Sequence, residues 1–498
     1  MCGSKAVGSQ ILKSVKKFFG ALSCAIAFTC GGFLEGGEFY QTEQIPLPQD
    51  EVMELGSIAL LPEKKIAVAS RRGDVWICEG AYGEDLSAVK WTKFAEGLHE
   101  PFGMFWRDGW LWLTQRPDIT KMRDTNGDWR ADEFVTVAAP WGINGNYHEY
   151  NFGTEPDQEG QIWTVSCLTG SGAAAPESKF RGWGFRTSLD GKSVPVVTGV
   201  RSPGGIGFNA EGDTFYTDNQ GLWNGSSSLK HMRVGGFMGN PTGNIYMGQQ
   251  EVLSDPGSPE SGSRIEAERK KLKDLVPPAV VFPHGLIGQS PTGVITEGTG
   301  GQFGPFAGQT LVGEQTHSQV QRVFLEKVNG VYQGAVWHFL EGYRSGIVPL
   351  RLSDDGTLFV GGTNRGWAAR GGKRFTLERT RWTGKTPFEM KEMRITKEGW
   401  KLVFTEAVDP ASAGNPDSYQ VKAWTYIYQK SYGSPQVDQA TPQVVRAEVS
   451  KDRLSVLLTV EGRVKGHVHE LDSSAVKSDA GRNLWHPKSY YTINEWAQ

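Results

Sequence analysis

Side chains able to move a proton or hold an anion sit in short groups along the chain: His99-Glu100, His148-Glu149, Arg201, Asp218-Asn219-Gln220, His284, Glu314-Gln315, His317 and Asn364-Arg365. Imidazole suits proton transfer near neutrality because its ordinary pKa lies there. A guanidinium offers a fixed fork of donors to a carboxylate. His148, Glu149 and Arg201 are therefore the catalytic candidates; His284, Asp218 and Asn219 are candidates for holding a substrate, and Asn364 and Arg365 for holding a cofactor. Trp223 and Trp367 could stack on a sugar ring, the other tryptophans being core. Asp218 and Asn219 also have a plainer reading as turn caps. Asp124, Asn126, Asp128 and Asp132 set oxygens at positions 1, 3, 5 and 9 of a loop bent by Gly127, the density that a hard cation requires. The expectation there is a structural Ca2+, and the alternative a solvated acidic hairpin.

These groups are far apart in sequence, so something must bring them together. A turn followed by a short apolar or aromatic strand recurs six times, as in Arg107-Asp-Gly-Trp-Leu-Trp-Leu113, Gln158-Glu-Gly-Gln-Ile-Trp-Thr164 and Asp354-Asp-Gly-Thr-Leu-Phe-Val360. Each copy reads as an antiparallel hairpin whose glycine supplies positive φ. The turn glycines Gly109, Gly160, Gly212, Gly308 and Gly356 are 51, 52, 96 and 48 residues apart. A four-stranded propeller blade needs about 40–50 residues, so the spacing predicts an all-β chain with a six-bladed β-propeller over residues 37–390. The long interval holds an insertion at about 240–280, where Ile265–Asp274 is strongly charged. Equivalent ends of successive blades converge on one face, which is how the scattered His, Arg and carboxylate groups could share a site. Residues 391–498 lose the period and read as a small Ig-like β-sandwich.

Composition narrows the function. The chain has 498 residues with 64 Gly, 17 Trp and a net charge of −3, from 52 basic against 55 acidic side chains. That excludes a disordered chain, and the absence of a dense Lys/Arg stripe excludes a nucleic-acid binder. Lys13, Lys16 and Lys17 precede an apolar run ending at Cys30, the order of an export signal, which gives residues 1–36 to an export segment. The expected location is the periplasm, cell envelope or exterior, with the membrane reached only through export or a lipid anchor. Once that segment is removed, Cys78 and Cys167 remain, enough for one disulfide and no framework.

The run Arg201-Ser-Pro-Gly-Gly-Ile-Gly-Phe-Asn-Ala-Glu-Gly-Asp-Thr-Phe-Tyr-Thr-Asp-Asn-Gln-Gly221 resembles a segment of the soluble quinoprotein glucose and sorbosone dehydrogenases, and Tyr147-His148-Glu149 resembles the start of their His-bearing strand. Asn146-Tyr-His-Glu-Tyr150, Thr217-Asp-Asn-Gln-Gly221 and Gly361-Gly-Thr-Asn-Arg-Gly-Trp367 are similar to runs in exported bacterial proteins named as membrane-bound dehydrogenases. The resemblance covers roughly residues 50–385 and implies a sugar or polyol dehydrogenase. By it, His148 would be the base that takes the hydroxyl proton, and Arg201 would face a carboxylate or oxygen of pyrroloquinoline quinone (PQQ). Gln220, Gly221 and Leu222 would contact the quinone and offer carbonyls to a bridging Ca2+. Electrons would leave to a separate acceptor such as a cytochrome. The chain departs from that pattern at Ser202, at Thr316 or His317 in place of a quinone-binding Lys, and at Gly346-Ile347-Val348 in place of an Arg-Tyr-Arg run. The same residues also suit a carbohydrate-active enzyme without a quinone, or an envelope propeller that binds carbohydrate or protein without turnover.

Overall fold

A computed structural model describes residues 37–172, 177–366 and 368–498. The export segment, with Cys2, Cys24 and Cys30, lies outside the described residues, as does Trp367. The chain is all-β with a few short helices. No helix among the described residues is long and apolar enough to cross a membrane.

Short runs of β-branched and aromatic residues between Gly- and Asp-bearing turns form successive antiparallel sheets. The first sheet runs from Leu55–Leu61 to Lys90–Ala95, and the second from Met104–Arg107 to Glu133–Ala138. The third opens with Asn151–Pro156 and ends on Ser193–Thr198, to which Gly236–Phe237 adds in parallel. The fourth opens with Pro203–Phe208 and takes Val280–Phe282 as its last strand, across an insertion containing the helical turns Pro241–Gln249 and Ile265–Glu268. The fifth opens with Pro291–Thr296 and the sixth with Ile347–Leu352. The first strand of each sheet touches the first strand of the next, and that of the sixth touches Leu55–Leu61 of the first. Tyr40–Ile45 pairs with Phe375–Trp382 as the outer strand of the sixth sheet, tying the start of this circular order to its end.

The five turn glycines have φ between 75° and 84°, the left-handed backbone these tight turns need. Glycine serves a second purpose in the first strands, where the sheets approach closely. A Cβ on Gly103 would lie 2.4 Å from the Gly153 carbonyl oxygen, and one on Gly207 would lie 2.1 Å from that of Val294. The space between the first strands is consequently narrow, about 50 Å³, and is lined by five of them and by Phe102 and Gly103 just before Met104–Arg107.

The C-terminal boundary needs correction, and the open question of a disulfide is answered. The C-terminal strands do pack as two facing sheets around one core, but they are not separate from the sheets before them. Met390–Ile395, Gly399–Phe404, Gln443–Val449 and Ser455–Glu461 form one sheet, but Lys488–Thr492 pairs with Val331–Leu340 and carries three further strands onto the edge of the fifth sheet. Trp337 and Phe324 of that sheet share a core with Trp400, Leu402 and Tyr491. Burying a sheet edge and its apolar face together removes an exposed edge that would invite aggregation. Cys78 and Cys167 are both buried and both free, so no disulfide joins them.

Candidate functional site

Where the first strands begin, a cavity of about 270 Å³ opens. Each sheet contributes to it through a first strand, the segment just before it, or the residue just after the second strand. His148 lies on the segment leading into Asn151–Pro156. Asn146 Oδ1 accepts the His148 N–H at 3.0 Å, while the Glu149 carboxylate accepts the Asn144 N–H at 2.8 Å and the Thr169 hydroxyl at 2.5 Å. Glu149, fully buried, is thus a clasp that sets the position of His148.

Arg201 precedes Pro203–Phe208. Its Nη1 donates to the carbonyls of Asn219 at 3.1 Å and Gln220 at 2.6 Å, and its Nε is buried without a partner among the described residues. Gly221 crosses the guanidinium so closely that a Cβ would lie 2.0 Å from Cζ. Asp218, at the end of Thr214–Asp218, accepts the Ser202 N–H at 2.8 Å and pairs with Lys230 at 3.0 Å. Both are almost wholly buried, so this pair fixes the turn that carries Arg201.

Arg71, from the first sheet, meets Glu100 at 3.2 Å and the Tyr150 hydroxyl at 3.0 Å. Glu100 also receives Arg116 at 3.2 Å, and Arg365 binds Glu54 at 3.1 Å. Among the described residues no Asp or Glu lines the cavity. Burial lowers the His148 pKa below the ordinary value, and the charge of Arg201 lowers it further. Burial also lowers that of His284, against the pull of Glu314. Both shifts favour the neutral imidazole, the form that accepts a proton.

The cavity brings together His148, Arg201, Asn219, Gln220, Leu222, His284 and Gln315 of the residues singled out from sequence. It excludes others for physical reasons. Glu149 and Asp218 are spent on structural bonds, and Gly221 lies behind the guanidinium it accommodates. Trp223 is buried against Tyr428, with ring centroids 5.1 Å apart, and has no face for a sugar. Asn364 and Arg365 stand off the lining, Arg365 being held by Glu54. The 124–132 loop closes on itself: Asp124 accepts the N–H groups of Asn126, Gly127 and Trp129, Asn126 that of Asp128, Asp128 that of Arg130, and Asp132 that of Thr125. Among the described residues no group of three or more His, Cys, Asp or Glu could hold a metal ion.

Sequence reasoning missed Arg71, Tyr150 and Tyr432. A signal for Arg71 was present. The residue just after the second strand of each sheet is Arg71, Gln115, Cys167, Asn219, Gln315 and Asn364, and three of these reach the cavity. Tyr432 comes from the C-terminal strands and has no such signal.

A family model described as a domain of unknown function, DUF7133, matches residues 59–337. The chain belongs to the DUF7133 family. No curated protein sequence matches this DUF7133 chain. Solved structures similar to it include the PQQ-bound form of an aldose sugar dehydrogenase from Streptomyces coelicolor, at 13% identity and a TM-score of 0.48 over 69% of this chain and 98% of that one. The calcium structure of a Trichoderma reesei carbohydrate-active enzyme of family AA12 is similar at 13% identity and a TM-score of 0.48, over 70% and 96%. The holo PQQ domain of a Coprinopsis cinerea pyranose dehydrogenase follows at 11% and 0.44, over 69% and 95%. At such scores nothing about the ligand is transferred to the DUF7133 chain.

Proposed function

We propose that the six sheets are the blades of a β-propeller and that the cavity at its axis binds a carbohydrate or polyol, His148 taking a proton from one substrate hydroxyl. The observation that carries this reading is the half-buried imidazole of His148 lining the same cavity as Arg201, with no Asp or Glu among the described residues that line the space. In such a step the substrate O–H bond breaks and its proton passes to the ring nitrogen. If the alcohol is oxidised, the carbon-bound hydride must leave as well, and we assign its acceptance to a separate redox partner. Asn219, Gln220, Gln289 and Gln315 offer the polar groups, and Phe102 and Phe152 the apolar walls, that a ring with several hydroxyls requires. Export through residues 1–36 belongs to the same proposal, since it would put the site where free sugars are met.

The residues do not fit a calcium-bridged PQQ. The three carbonyls that would face the cation already accept hydrogen bonds: that of Gln220 from Arg201, which also bonds the neighbouring Asn219 carbonyl, that of Gly221 from Asn224 and Gly433, and that of Leu222 from Asn240. A guanidinium occupies the place next to the first. Of the two arginines lining the cavity, Arg71 is already paired, leaving one cation for three carboxylates. No step is therefore drawn through the quinone.

Calorimetric titration of the purified protein with a panel of neutral sugars, polyols and sugar acids, followed by a dye-reduction assay with and without added PQQ and Ca2+, tests the reading. Binding of at least one carbohydrate without Ca2+ is expected, with His148→Asn lowering any turnover by about 100- to 10,000-fold. No carbohydrate binding would overturn it.

A further inference from the structure

Arg201 and Tyr432 together constrain what the cavity takes. Arg201 is 4% exposed, and its hydrogen bonds go to neutral carbonyls. Other cavity-side arginines have carboxylate partners: Arg71 and Arg116 share Glu100, and Arg365 has Glu54. A buried charge without a counter-ion is costly, and the cost falls when an anion arrives.

Tyr432 stands beside it, although it belongs to the segment between Gln420–Tyr426 and Gln436–Ala440, more than two hundred residues further on. That segment is sewn to the loop after Asp218. Trp223 N–H donates to the Gln429 carbonyl at 2.7 Å, Gly433 N–H donates to that of Gly221 at 3.1 Å, and Leu222 and Tyr432 form a bridge between them. The Arg201 Cζ lies 5.2 Å from the centre of the Tyr432 ring. The ring nonetheless remains 67% exposed, a large area for an aromatic side chain held in place on both sides.

We infer that the ligand of this cavity is an acidic sugar, its carboxylate seated against Arg201 and its ring against Tyr432, so that the C-terminal strands supply a specificity-determining side chain to the propeller's site. The inference rests on the carbohydrate reading above and narrows it. A planar guanidinium matches a carboxylate in shape as well as charge. An exposed tyrosine supplies the flat apolar surface on which the C–H face of a pyranose packs. His148 and His284, whose burial favours the neutral ring, line the rest of the cavity, where the hydroxyl-bearing remainder would lie.

The test titrates the full chain with D-glucuronate, D-glucose and inorganic phosphate, then repeats it with Tyr432→Ala, whose exposed position leaves the thermal midpoint unchanged. Glucuronate is expected to bind at least about tenfold more tightly than glucose, the worth of one charge-assisted contact. Tyr432→Ala is expected to weaken glucuronate by about tenfold while leaving phosphate unaltered. Equal affinity for glucose and glucuronate would overturn the acidic-sugar inference and leave the carbohydrate reading standing. Phosphate binding as tightly as glucuronate, or a Tyr432→Ala variant with full affinity, would overturn the role of the ring. Binding of none of the three, with no other sugar of the panel bound, would remove both readings.

Discussion

Arg71 and Arg201 line the same cavity and are buried to nearly the same degree, 5% and 4% exposed, but their surroundings differ. On the side of the first and second sheets, Arg71 and Arg116 converge on Glu100, and Tyr150 adds its hydroxyl to Arg71. On the side of the fourth sheet, Arg201 meets backbone carbonyls and an aromatic ring. In the first arrangement both guanidinium groups meet a carboxylate within the protein, although the Nε of each, like that of Arg201, has no partner among the described residues. The second has spare capacity for an anion. Burial alone thus does not mark a functional arginine; the identity of its partners does.

The comparison can be broken most forcefully at Glu100. Glu100→Ala strips two buried guanidinium groups of their shared carboxylate and is expected to lower folding stability by about 3–5 kcal/mol, read as a fall in denaturant midpoint. A loss too small to measure would mean that the paired side is no more structural than the other. Arg201→Met makes the converse test. It releases two carbonyls and is expected to cost only about 1–2 kcal/mol of stability, while weakening glucuronate by about 10- to 100-fold; calorimetry and unfolding on one preparation measure both. Equal damage to folding from the two substitutions would erase the distinction. The smallest effect is on His148. Its folded pKa lies below the ordinary imidazole value, so the neutral form is lost only as pH falls through that lower value, and Arg201 is part of the cause. Arg201→Met should move the titration upward, by less than about one unit, in an NMR titration of the ring. A midpoint that stays put or moves down would place the Arg201 charge too far away to act on His148.

The repeat of hairpins is legible because strands and turns are local. Gly109, Gly160, Gly212, Gly308 and Gly356 mark their turns by a conformation that few other residues adopt. Six of the seventeen chosen site residues are brought to the cavity: His148, Arg201, Asn219, Gln220, Leu222 and His284 sit at or near ends of strands that the repeat brings to one face. Asp218 and Glu149 were indistinguishable from them in sequence. Which carboxylate faces a cavity and which is consumed by Lys230, Ser202, Asn144 or Thr169 depends on partners that are remote or on loop geometry, neither of which a residue type reveals. Trp223 likewise turned inward because Tyr428 was there to receive it.

By itself the sequence determined the all-β character, the turn positions and the set of polar groups at the strand ends, since these follow from backbone preference and side-chain period over a few residues. Only the tertiary structure decided that four of the C-terminal strands extend the fifth sheet, that Tyr432 stands over Arg201, and that one arginine is paired with a carboxylate while another is not. Those outcomes are set by long-range pairing, where a contact between residues two hundred apart depends on every turn between them.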